Sequence, residues 1–110
     1  MENRFVKVTD PEAFDTLNDQ SRKRPVVIFK HSTTCPISDV AYREMSDFDG
    51  EVALVEVQRA RELSRDIENK TGVKHESPQI IVLRNGQVVW DGSHFQIKRA
   101  AVAEAVVNNT

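Results

Sequence analysis

The residues best equipped for chemistry lie in His31-Ser32-Thr33-Thr34-Cys35-Pro36-Ile37-Ser38, directly after the apolar run Val26-Val27-Ile28-Phe29. Cys35 is the only cysteine of the chain. A strand that ends in a short turn, a Cys and a Pro sets the sulfur beside the unpaired amide N–H groups of a helix's first turn, where a thiolate is favoured. Thiol–disulfide exchange is the chemistry open to such a site. The spacing Cys-Pro-Ile-Ser is that of a Cys-X-X-Cys motif whose second sulfur is replaced by the Ser38 hydroxyl. With no second thiol the protein cannot close an internal disulfide, so the expected covalent intermediate is a mixed disulfide between Cys35 and another molecule. A lone Cys in an arbitrary domain most often fills core space as a small hydrophobe. Two threonines before it and a proline after it, at a strand-to-helix junction, argue against that role here. A free thiol, with a pKa of ~8.5, is only slightly ionised near neutrality. The helix N-terminus, the hydroxyls of Ser38 and Thr34, and Lys30 or His31 are the groups at hand to favour the anion.

The elements that must hold this segment follow from hydrophobic period and punctuation. Arg4 to Val8 reads as a short strand, the weakest of the set. Asp10-Pro11-Glu12 then supplies an N-cap, a Pro at the first helical position and an acid in the first turn of a helix expected to reach about Gln20. Val26 to Lys30 is apolar on both faces, the mark of a fully buried strand. From Pro36 the apolar residues Ile37, Val40, Ala41, Met45 and Phe48 recur at helical spacing, with Asp39, Arg43, Glu44 and Asp47 opposite. Val52 to Val57 is the next strand, and Ala60, Leu63 and Ile67 mark a helix that stops at Gly72. Ser77-Pro78 precedes the strand Gln79 to Arg84. Asn85-Gly86 joins it to Gln87 to Asp91 as a two-residue hairpin, because both central positions of that turn need positive φ. A final helix is expected from about Phe95 to Val107. Helices alternating with parallel strands, closed by an antiparallel hairpin, predict an α/β fold: a mixed sheet of four to five strands with helices on both faces.

Residues 1–110 read as a single domain, with no repeats, linkers or low-complexity tracts. The 15 basic and 17 acidic side chains are interspersed, and aromatics make up only 6%. A nucleic-acid binder would carry a basic excess and aromatic platforms, so nucleic acid is not an expected partner. The one cluster, Arg22-Lys23-Arg24, reads as a solvated loop. Met1-Glu2-Asn3-Arg4 leads into no apolar signal segment, and apolar runs of four residues fall far short of a membrane span. No membrane partner is expected, and with one thiol the expected location is a reducing cytoplasm. His31, His75 and His94 show no ligand-like spacing, so no metal site is expected. Trp90 reads as hairpin packing.

The Cys at the end of the second strand, the X-Pro before the third main strand and the hairpin Leu83-Arg84-Asn85-Gly86-Gln87-Val88 resemble the thioredoxin fold, a three-layer sandwich, over nearly the whole chain. Within it, the segment around Cys35 and Gly72-Val73-Lys74-His75-Glu76-Ser77-Pro78-Gln79 resemble the monothiol bacilliredoxins of the YtxJ family. The resemblance implies a thiol–disulfide oxidoreductase that removes bacillithiol, a low-molecular-weight thiol, from client proteins. It makes Cys35 the nucleophile, Ser38 the replaced resolving position and Ser77-Pro78 a cis bond beside the sulfur, with Thr34, Pro36, Ser77 and Pro78 contacting substrate. No tightly bound cofactor is implied; bacillithiol is the co-substrate. The implied partners are bacillithiolated client proteins, a small-molecule thiol and a disulfide reductase. Unlike thioredoxin, the chain has Phe29 where that family carries a buried acid. Unlike glutaredoxin, it has Asp91-Gly92-Ser93-His94 in place of the Gly-Gly segment that holds glutathione.

Two other classes of function fit a single Cys in this fold. One is a monothiol glutaredoxin-like carrier that bridges an iron–sulfur cluster between two subunits, with external thiols completing four ligands. The other is a non-catalytic redox sensor or binding module in which Cys35 is capped once and waits.

Overall fold

The computed structural model describes residues 4–110; Met1–Asn3, which entered the reading of the N-terminus, lie outside them. Five strands form one sheet in the order β1-β3-β2-β4-β5. They are β1 (Arg4–Lys7), β2 (Val26–His31), β3 (Glu51–Glu56), β4 (Gln79–Arg84) and β5 (Gln87–Ser93). β1, β3 and β2 run parallel, and β4 and β5 antiparallel. The helices are α1 (Ala13–Gln20), α2 (Pro36–Ser46), α3 (Arg61–Thr71) and α4 (Arg99–Asn108).

β2 is the centre of the sheet and all six of its residues are buried. Because successive side chains of a strand point to opposite faces, β2 divides its residues between two cores. Val27 and Phe29 pack with Ala41 and Met45 of α2 and Val102 of α4. Val26 and Ile28 pack with Phe14 and Leu17 of α1 and Leu63 and Ile67 of α3. The helices therefore cover the sheet in pairs, α2 and α4 on one face, α1 and α3 on the other. Fully burying side chains of this size stabilises by about 1.5–3 kcal/mol each.

The hairpin turn has Asn85 at φ 55° and Gly86 at φ 74°, both in the left-handed region the Asn-Gly pair was read to supply. Gly72 ends α3 at φ 76°. Two helix boundaries differ from the sequence reading. Asp10 does not cap α1; its Oδ1 accepts the Glu12 N–H at 2.9 Å, closing a turn in front of a helix that starts at Ala13. The final helix is broken. Ser93 and Gln96 form a capping box around a single 3-10 turn, His94–Gln96, and Ile97 leaves helical geometry to bury itself, 2% exposed, in the core shared by α2 and α4. α4 begins only at Arg99, and Phe95 is left exposed. Val40 also lies outside the core, on the open side of α2, although its spacing matched the apolar stripe.

The same alternation that sorts the core sends Lys30 toward α3, where Glu68 and His75 are its titratable neighbours. The side chain is fully buried, and Nζ has no hydrogen-bond partner among the described residues. Burial lowers the ammonium to a pKa of about 8, against a weaker opposite pull from Glu68. Below that pH the group is charged in both folded and unfolded chains. Between about 8 and the unfolded value of 10.5 the folded protein has lost a proton that the unfolded chain keeps, so stability rises with pH across this window. Lys30→Met removes the buried charge and should be more stable than wild type at pH 7. By pH 9.5 its advantage should shrink by about 2 kcal/mol, read from paired urea denaturations. An advantage that stays constant with pH would contradict the lowered pKa of Lys30 in the folded state.

Candidate functional site

β2 ends at His31, and the turn Ser32–Thr34 leads to Cys35, the N-cap of α2. Cys35 is extended, φ −102° and ψ 124°, and Pro36 starts the helix. Pro belongs there because it lacks an N–H and its φ is already helical. The Cys35 carbonyl accepts the Asp39 N–H at 3.1 Å, while its side chain makes no capping hydrogen bond among the described residues. The thiol is free and half-buried, at the amide end of α2.

Ser38, one turn on, is fully buried. Its Oγ accepts the Ser32 N–H at 2.9 Å and lies 2.7 Å from Nδ1 of His31, itself only 6% exposed. The His31 ring packs between Phe29 and Tyr42, with centroids 5.4 and 4.9 Å away. Burial holds the imidazole below its ordinary value, against the opposing pull of the Asp39 and Glu56 carboxylates, so the ring is neutral at pH 7. Its two tautomers place the Ser38 proton differently. If Nδ1 donates, both bonds end on Oγ and the hydroxyl proton stays available to a neighbouring anion; if Nδ1 accepts, that proton is consumed.

Gln58, just beyond β3, ties down the turn itself. Its Oε1 accepts the Thr33 N–H at 3.2 Å, and its Nε2 donates to Ser32 Oγ at 2.8 Å and to Thr34 Oγ1 at 3.1 Å. The sequence reading missed Gln58. The signal available was positional: β2 and β3 are adjacent and parallel, and the carboxyl ends of such strands are where α/β sheets place their sites. β4 runs the other way and pairs Gln79 with Lys30, so its opening residues arrive at the same edge. Ser77–Pro78 there is cis, and the Pro78 carbonyl accepts the His94 N–H at 3.0 Å. Cys35, Thr34, Pro36, Ser38, Ser77 and Pro78 therefore share one end of the sheet. Lys30 does not join them, since it projects to the opposite face from His31.

Among the described residues no three His, Cys, Asp or Glu side chains gather as a metal set, and no helix is long and apolar enough to cross a membrane. Residues 6–102 match the family model described as monothiol bacilliredoxin BrxC. A solved structure described as that of a proposed oxidoreductase with a thioredoxin fold is 36% identical over 92% of each chain, with a TM-score of 0.84. The reduced thioredoxin pre-protein of Schistosoma mansoni is 17% identical, with a TM-score of 0.71 over 97% of this chain and 99% of its own. Fasciola hepatica thioredoxin is 15% identical, with a TM-score of 0.69 over the same shares. These last two likenesses show the thioredoxin fold.

The hydrogen bonds predict different costs for two hydroxyls. Ser38→Ala leaves the half-buried Ser32 N–H and the buried His31 Nδ1 without their shared partner and should destabilise by about 1–3 kcal/mol. Thr34→Ala, at an exposed position, should change stability by no more than ~0.5 kcal/mol. Urea denaturation of the two variants checks this, and equal effects would show that the Ser38–His31 contact contributes nothing to the fold.

Proposed function

Because the chain belongs to the monothiol bacilliredoxin family, we propose that it removes a low-molecular-weight thiol, bacillithiol, from mixed disulfides on client proteins through Cys35. The observation that carries this reading is the placement of a free, half-buried Cys35 at the N-terminus of α2, with an alcohol, Ser38, three residues on where a second thiol would resolve the intermediate. The Cys35 thiolate attacks the small thiol's sulfur in the client disulfide. A new S–S bond forms between Cys35 and the small thiol, the client S–S bond breaks, and the client sulfur leaves as a thiolate that takes a proton from water.

A second small thiol, the reductant, then attacks the captured sulfur. It departs as a symmetrical small-molecule disulfide and returns Cys35 as a thiolate, so oxidation passes from client to small thiol with no net change in the protein. Thr34 and Pro36 flank the sulfur, and Ser77 and Pro78 present backbone to an extended client segment as an added strand would. A disulfide reductase recycles the small-molecule product. The chemistry suits the reducing cytoplasm, where a thiol cycles rather than locks.

Three measurements test this. Wild type incubated with a bacillithiol-capped client should release the cap faster than it releases a glutathione cap, and equal rates would remove bacillithiol from the proposal. Intact mass should show one small-thiol adduct on wild type and none on Cys35→Ser. Ser38→Cys places a thiol one helical turn from Cys35. It should expel the captured thiol and end as an internal disulfide without added thiol, whereas wild type keeps the adduct until a second thiol arrives. Release at the same rate from both proteins would refute the monothiol course.

A further inference from the structure

Beside the Cys35 turn, on the α3 side of the sheet edge, lies a groove of about 280 Å³ lined by Gln58, Arg61, Ser64, Arg65, Glu68 and His75. Arg61 and Arg65, four residues apart on one face of α3, are exposed, and neither has an ion-pair or hydrogen-bond partner among the described residues. The one acid in the wall, Glu68, is already engaged: its Oε2 accepts the His75 N–H at 2.8 Å, and its charge acts on the buried Lys30 beneath. Ser64 is only 6% exposed, yet its Oγ has no hydrogen-bond partner among the described residues. A buried hydroxyl without a partner, lining the same groove as two unpaired guanidinium groups, is a donor set suited to an oxyanion. The groove is also coupled to the sulfur's turn, because Gln58 in its wall donates to the hydroxyl of Thr34, the residue before Cys35.

We propose that this groove binds the carboxylate-bearing end of the small thiol that caps the client, with Arg61 and Arg65 pairing its carboxylate and Ser64 donating a further hydrogen bond, so that cap charge governs selectivity. The inference rests on the decapping activity proposed above. The volume suits the polar end of one small molecule rather than a length of polypeptide.

The test uses one client peptide carrying in turn a 2-mercaptosuccinate cap, a neutral 2-mercaptoethanol cap and a cationic cysteamine cap. Each removal rate is normalised to the uncatalysed exchange of the same disulfide. Wild type should favour the mercaptosuccinate cap over the neutral one by about tenfold, the scale of a charge-assisted hydrogen bond. In Arg61→Ala/Arg65→Ala that ratio should fall to about one, while Arg22→Ala, remote from the groove, should keep it, and Arg65→Glu should shift preference toward the cysteamine cap. The arginines are exposed, so circular dichroism of these variants should match wild type. Removal of all three caps at similar normalised rates, or a preference that survives the double substitution, overturns the groove while leaving decapping intact. A preference that follows acidic residues in the peptide instead of the cap also overturns it, by assigning the groove to the client. Failure on all three caps by a protein that removes a bacillithiol cap from the same peptide overturns the groove alone, and failure on the bacillithiol cap as well overturns both readings.

Discussion

Every side chain of β2 is buried, and the rest of the molecule is arranged around that constraint. A strand buried on both faces must be covered on both, and α2 with α4, and α1 with α3, supply the cover. The same two-residue alternation continues past the apolar residues to the strand's end. It sends His31 to the α2 face, where Ser38 and Tyr42 receive it, and Lys30 to the α3 face beneath the arginine groove. A shift of one residue in β2 would exchange these two chemistries.

Two polar clamps convert this buried strand into a positioned sulfur. Ser38 holds the start of the turn from the helix side through Ser32 and His31, and Gln58 holds it from the β3 side through Ser32, Thr33 and Thr34. Together they constrain the three residues between β2 and Cys35. The alcohol at position 38 is thus more than the loss of a thiol. In place of a second thiol it supplies structural hydrogen bonds to Ser32 and His31.

The edge of the sheet has a division of labour that follows from strand direction. The carboxyl ends of the parallel pair β2 and β3 bring Cys35 and Gln58 together, and the antiparallel β4 enters the same edge with Ser77 and Pro78. To one side lies the cis Ser77–Pro78 backbone, and to the other the groove that carries Arg61 and Arg65. The mixed disulfide of the proposed reaction likewise has two halves, a protein chain and a small molecule.

What the sequence determined by itself was whatever depends on near neighbours. Apolar runs and helical spacing marked the strands and helices, Asn85-Gly86 announced the hairpin through its need for positive φ, and Cys35-Pro36 announced a thiol at a helix start. Ser38 announced the missing second thiol, and the motifs around Cys35 and Ser77-Pro78 carried the family and its fold. What only the tertiary structure decided depends on residues far apart in the chain. Strand order placed Gln58 at the turn before Cys35, strand phase divided His31 from Lys30, and the core's demand for Ile97 broke a helix that local pattern would have continued. The physical reason is that a propensity is felt within a turn or two of chain, whereas a hydrogen bond such as Gln58 to Thr34 exists only once pairing has brought two ends of the sheet together.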